Sequence, residues 1–113
     1  MTTIDASPVR ELNDRFRMEV DHTLGRWVIT SALNAKGPLF VQRACRAVQT
    51  FTAFGPENDP FGEHDCATLT LDNEAIIWKI DTYLDAEMKY AADHPEDPKR
   101  SYRVMTVMLS SDY

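Results

Sequence analysis

No disulfide framework, no bilayer-spanning run and no glycine-rich phosphate loop can be read in this chain of 113 residues. Its two cysteines, Cys45 and Cys66, are too few to staple a small fold, and their separation fits no common zinc pattern. They read as free thiols in a reducing cytoplasm. Apolar stretches fall far short of the roughly twenty residues that cross a bilayer. Met1-Thr2-Thr3-Ile4-Asp5 has neither the positive start nor the apolar run of a secretory signal. The expectation is a cytoplasmic protein without membrane contact. With no dinucleotide fingerprint and no phosphate-binding loop, no cofactor is expected either.

An excess of positive charge is missing too. Twelve Lys and Arg stand against eighteen Asp and Glu, a formal net charge of −6. The imbalance is local. Met1 to Phe54 carries seven basic and five acidic residues, a net of +2, whereas Gly55 to Tyr113 carries five and thirteen, a net of −8. An acidic surface repels phosphate backbones and attracts basic surfaces or cations. Direct nucleic-acid binding is therefore disfavoured, and a protein partner with a basic surface is favoured.

What the chain does have is core material. At 43% hydrophobic and 27% charged it lacks the bias of a disordered chain and suits one domain, residues 1–113, with one core. Ser7-Pro8 predicts a helix start, with Ser7 as the cap. Val9, Leu12, Phe16 and Val20 follow at helical spacing, with Glu11 and Arg15 paired on the opposite face, so a helix is expected from Pro8 to about Met18. Gly25 opens a β-branched and aromatic strand, Arg26 to Thr30. After a break at Asn34 to Pro38, a second helix should bury Val41, Ala44, Cys45, Val48 and Phe51 and leave Arg43 and Arg46 to solvent.

Gly55 to Gly62 holds two prolines and two glycines and predicts an irregular loop. Cys66 to Leu71 alternates like a half-buried strand, Asp72-Asn73 supplies a turn, and Glu74 to Tyr83 returns as a strand with Ile76, Trp78 and Ile80 on one face. Asp85 to Arg100 reads as an acidic loop ended by Pro95 and Pro98, with a helical turn as the alternative. Tyr102 to Leu109 is an apolar run of strand length, although a buried helix has the same signature. The order α-β-α-β-β-β predicts an α+β fold: two helices packed on one face of a mainly antiparallel four-stranded sheet.

Glu63-His64-Asp65, just before a strand, is the constellation that carries chemistry. If Asp72-Asn73 is a two-residue turn, Leu71 pairs with Glu74, Cys66 with Lys79 and His64 with Asp81. A three-residue loop would set Asp81 against Asp65 instead. Opposed side chains stand about 5 Å apart at Cβ, so either register brings Asp81 to the segment. Three readings compete for the cluster Asn58, Asp59, Phe61, Glu63, His64, Asp65 and Asp81. In the leading one, His64 and Asp81 hydrogen-bond to each other and to loop amides, pinning a proline-rich loop. In another, Phe61 anchors a partner in an acidic rim. In the last, Asp81 orients His64 as a base or as a ligand for Mg²⁺ or Mn²⁺. No catalytic motif surrounds the cluster, and zinc held by His64, Cys66 and Cys45 would lack a fourth ligand.

Several stretches together resemble a small bacterial family, domain of unknown function three-seven-six-eight. They are Asn58-Asp59-Pro60, Gly62-Glu63-His64-Asp65, Trp78-Lys79-Ile80-Asp81 and Arg103 to Leu109, with Arg10 to Asp14 and Tyr113 towards the ends. The chain departs from the family pattern at Cys66-Ala67, where Phe-Gly is expected. It departs again at Thr82-Tyr83-Leu84-Asp85, where two tyrosines and an aspartate are expected. The resemblance implies no catalytic residue. It implies a bacterial protein carried on mobile elements, a setting that includes anti-restriction and anti-CRISPR inhibitors which present carboxylates to basic, nucleic-acid-binding surfaces. The expectation is thus a non-enzymatic acidic interaction domain, with a metal-dependent hydrolase or nuclease using Glu63, His64, Asp65 and Asp81 as the alternative.

Overall fold

Apolar residues at helical spacing, then at strand spacing, give the elements of the computed structural model, which describes residues 6–113. The signal-peptide reading of Met1 to Asp5 lies outside the described residues. Helix α1 spans Ser7–Met18, strand β1 Gly25–Ile29, a single-turn helix α2 Ser31–Asn34 and helix α3 Pro38–Gln49. Strands β2 (Cys66–Leu71), β3 (Glu74–Tyr83) and β4 (Tyr102–Leu109) follow, and a 3₁₀ turn covers Ser110–Asp112. The sheet order is β1-β4-β3-β2, antiparallel except for the parallel β1–β4 pair. This is the expected α+β class and mainly antiparallel sheet, with α2 as an added turn of helix.

Helix α1 begins one residue earlier than its cap signal. Ala6 occupies the cap position, Ser7 is already helical, and its hydroxyl accepts a hydrogen bond from Arg10 at 2.9 Å. The helix ends at Met18 as expected, and Val20, beyond it, takes a left-handed φ of 51°. Arg15 turns to Asp21 at 3.1 Å rather than to Glu11. In α3, Ala44 and Val48 are buried as expected. Arg43 is not merely solvated, since it grips Asp72 in the β2–β3 turn through two hydrogen bonds of 2.6 and 2.9 Å.

The hairpin has the tighter of the two registers considered. Asp72 and Asn73 both have positive φ (50° and 65°), as the two-residue turn requires, and Leu71 pairs with Glu74 and Cys66 with Lys79. Ile76, Trp78 and Ile80 line the helix-covered face, opposite Leu109, Val107 and Met105 of β4. They join Leu12, Phe16, Leu33, Ala44 and Val48 in one core. Tyr102–Leu109 is a strand, and it runs through the middle of the sheet between β1 and β3. Gly25 permits the β1–β4 contact: a Cβ there would lie 1.8 Å from the Arg103 carbonyl oxygen. Residues 84–101 form a loop that folds back on β3, with Ala91 bridged to Tyr83.

Candidate functional site

The loop between α3 and β2 is organised by its own short polar side chains. Asn58 accepts from the Gly55 amide at 2.7 Å and donates to the Ala53 carbonyl at 2.9 Å. Gly62 supplies a left-handed φ of 67°, and His64 adopts one of 52°. The strand ladder continues one pair beyond β2, with the Ile80 amide donating to the Asp65 carbonyl at 2.7 Å. At His64 the backbone leaves the strand conformation.

That reversal corrects the expected His64–Asp81 pair. The His64 ring turns towards α1 and meets Asp14, with Nδ1 2.9 Å from Oδ1 and 3.1 Å from Oδ2. Its Nε2 lies 3.6 Å from Asp59, whose other oxygen accepts the His64 amide. The ring also stacks on Phe54 at 3.9 Å between centroids, with the planes 6° apart. Asp81 instead binds Lys79 at 2.6 Å, and the hydrogen bond holds the Lys79 ammonium above its usual range.

Helix α1 fastens the loop along one stripe. Arg10 donates to the Gly62 carbonyl at 3.1 Å, Asn13 to the Glu63 carbonyl at 2.9 Å, and Asp14 takes the His64 ring. One turn further, Arg17 donates to the carbonyls of Val48 and Phe51 and lies over the rings of Phe54 and Trp78. Asn13 also accepts from Arg103, which is fully buried and spends its other two nitrogens on Ser101 and the Pro95 carbonyl. Burial, with the Arg15 charge, lowers the Arg103 guanidinium to about 10. None of these α1 residues belonged to the sequence-predicted cluster. Their signal was readable: Arg10, Asn13, Asp14 and Arg17 recur at the i, i+3, i+4, i+7 spacing of one helix face.

The expected cluster is thus divided. His64 and Asp59 belong to the half-buried fastening on α1. Asp65 and Asp81 line a cleft of about 490 Å³ with Asn58, Cys66, Lys79 and Tyr113. Phe61 stands 78% exposed at the loop tip. Burial raises the Asp65 carboxyl above its ordinary value, and the charges of Asp59 and Asp81 add to this. Glu63 is raised by burial and by the charges of Asp65 and Asp59. The same carboxylates, after burial, push the Cys66 thiol up, so it is a poor nucleophile. Among the described residues, no three His, Cys, Asp or Glu side chains converge as a metal ion would require.

The chain matches the family model described as protein of unknown function DUF3768 over residues 29–112, and it belongs to that family. No curated protein and no solved structure matches it. Among the described residues, no helix is long and apolar enough to cross a membrane.

Proposed function

We propose that this DUF3768 protein is a non-enzymatic interaction domain that docks its acidic loop, Phe61 to Asp65, on a basic protein surface. The observation that carries the reading is an uncompensated charge. Glu63 and Asp65 are half-buried, and neither makes an ion pair with Lys or Arg among the described residues, while burial first and neighbouring carboxylates second raise both. A partner's ammonium or guanidinium would relieve that repulsion, and exposed Phe61 beside it offers an apolar anchor. In a cytoplasmic mobile-element setting, the fitting targets are the basic, nucleic-acid-binding surfaces of host CRISPR or restriction complexes. The hydrolase alternative loses support because His64 is turned away from Asp81 and held by Asp14 and Phe54.

The test is capture of partners from bacterial lysate by the protein and by a Phe61→Ser, Glu63→Gln, Asp65→Asn variant, at low and high salt. The reading expects a basic, nucleic-acid-binding partner that is retained at low salt and lost in the variant. Equal capture by both proteins, or no basic partner, overturns it.

A further inference from the structure

Strand β2 is an edge of the sheet, and its free side carries none of the usual obstacles to pairing. Because the Ile80 amide donates to Asp65, alternation along the antiparallel ladder aims the backbone groups of Ala67, Leu69 and Leu71 at β3. Those of Cys66, Thr68 and Thr70 then point outward, and these are also the exposed residues of the strand. No other backbone hydrogen bond engages them among the described residues. Natural edges are usually blunted by lysine, proline, a bulge or a covering segment. Cys66–Leu71 contains no charge and no proline.

Charges stand at the two ends instead, Asp65 before the strand and Asp72 after it. Two copies paired antiparallel through these outward groups would set Thr68 against Thr68, so that Asp65 of one copy meets Leu71 rather than Asp72 of the other. Net repulsion opposes such a pair all the same, since each copy carries −6. A foreign strand with a basic residue at the Asp65 end meets the opposite situation. There the edge opens into the cleft of about 490 Å³, lined in part by Ile77, by Asp81 already held by Lys79, and by Asp65 and the 85%-exposed Tyr113, which leaves Asp65 as the carboxylate without a cation. An apolar side-chain stem can lie along Ile77 while its charged head reaches Asp65 and the tyrosine ring.

We propose that the free edge of β2 accepts an extended segment of a partner protein as a fifth strand, with a lysine or arginine of that segment seated between Asp65 and Tyr113. This rests on the acidic-interaction reading and names its mode: backbone pairing supplies affinity and the cleft supplies selectivity for a basic residue.

The full chain, isotopically labelled, is titrated with a seven-residue peptide of alternating valine and threonine carrying lysine at both ends. Two controls are the same peptide with glutamate ends, and the lysine peptide with alternate amides N-methylated along either edge. Amide exchange at Cys66, Thr68 and Thr70 should slow by about tenfold or more with the lysine peptide and stay unchanged with the controls. Thr68→Pro removes an outward N–H without touching the β3 ladder, so it should abolish this protection while the folded spectrum is kept. Protection confined to residues 58–65 overturns strand addition and leaves the acidic-interaction reading standing. Binding of no basic peptide overturns both. Equal binding of the N-methylated peptide, or protection that grows with protein concentration alone, overturns the proposed occupant.

Discussion

At the residue scale, Asp65 is the side chain where stability and use pull apart. Its carboxyl is raised by burial first and by Asp59 and Asp81 second, so the folded state binds its proton more tightly than the unfolded chain does. The contribution of this group to stability is therefore fully present below the unfolded carboxylate value, and it is lost as pH rises through the folded one. Glu63 acts in the same direction. Asp65→Asn should raise the melting temperature at neutral pH, remove part of the loss of stability as pH rises above the ordinary carboxylate range, and weaken partner capture. Thermal unfolding through that rise in pH checks the first two effects. A melting temperature lowered at neutral pH would contradict the sign. Arg103 is the opposite case. Its three nitrogens bond to neutral acceptors inside the fold, so Arg103→Ala leaves Asn13 and the Pro95 carbonyl without their donor. The expected loss is about 3–5 kcal/mol in denaturant titration.

At the element scale, the hairpin and the loop show what a sequence reveals and what it hides. The Asp72-Asn73 turn, the β2–β3 register and the face bearing Ile76, Trp78 and Ile80 were legible because they depend on neighbours along the chain. The His64 partner was not legible. A single left-handed φ at His64 ends the alternation from which the Asp81 pairing was projected, and the ring finds Asp14, fifty positions away. The stripe Arg10, Asn13, Asp14 and Arg17 was visible as a period but not as a fastening. Polar residues at helical spacing usually face water, and only the packed loop turns this stripe inward. A double-mutant cycle of Asp14→Ala and His64→Ala should return a coupling of about 1 kcal/mol, with faster amide exchange across residues 58–65 in each single variant. Gly25 tests a different joint. With a Cβ 1.8 Å from the Arg103 carbonyl, Gly25→Ala must force β1 from β4, and a loss of about 3 kcal/mol or more is expected in chemical unfolding.

At the scale of the whole molecule, the distribution of ion pairs sharpens the charge asymmetry seen in the sequence. The basic residues of the first half are largely committed: Arg15 to Asp21, Arg17 to Asp14, Lys36 to Glu74 and Arg43 to Asp72. In the second half Lys79 holds Asp81 and Arg100 holds Asp97. The loop carboxylates Glu57, Glu63 and Asp65 have no such ion pair among the described residues, and the cation beside them, Arg10, is spent on the Gly62 carbonyl. Salt should then act with opposite signs on folding and on binding. Over a Debye length of about 8–10 Å, ions screen the repulsion within the loop, whereas the exposed pairs they also weaken contribute little. Raising salt at neutral pH should increase the melting temperature of the protein and lower its affinity for a basic partner. In the Glu63→Gln, Asp65→Asn variant both slopes should flatten together. Calorimetry and peptide titration across one salt series measure the two slopes on the same samples. If the binding slope persists unchanged in the variant, the attraction arises elsewhere on the acidic half and the loop is only a neighbour to it.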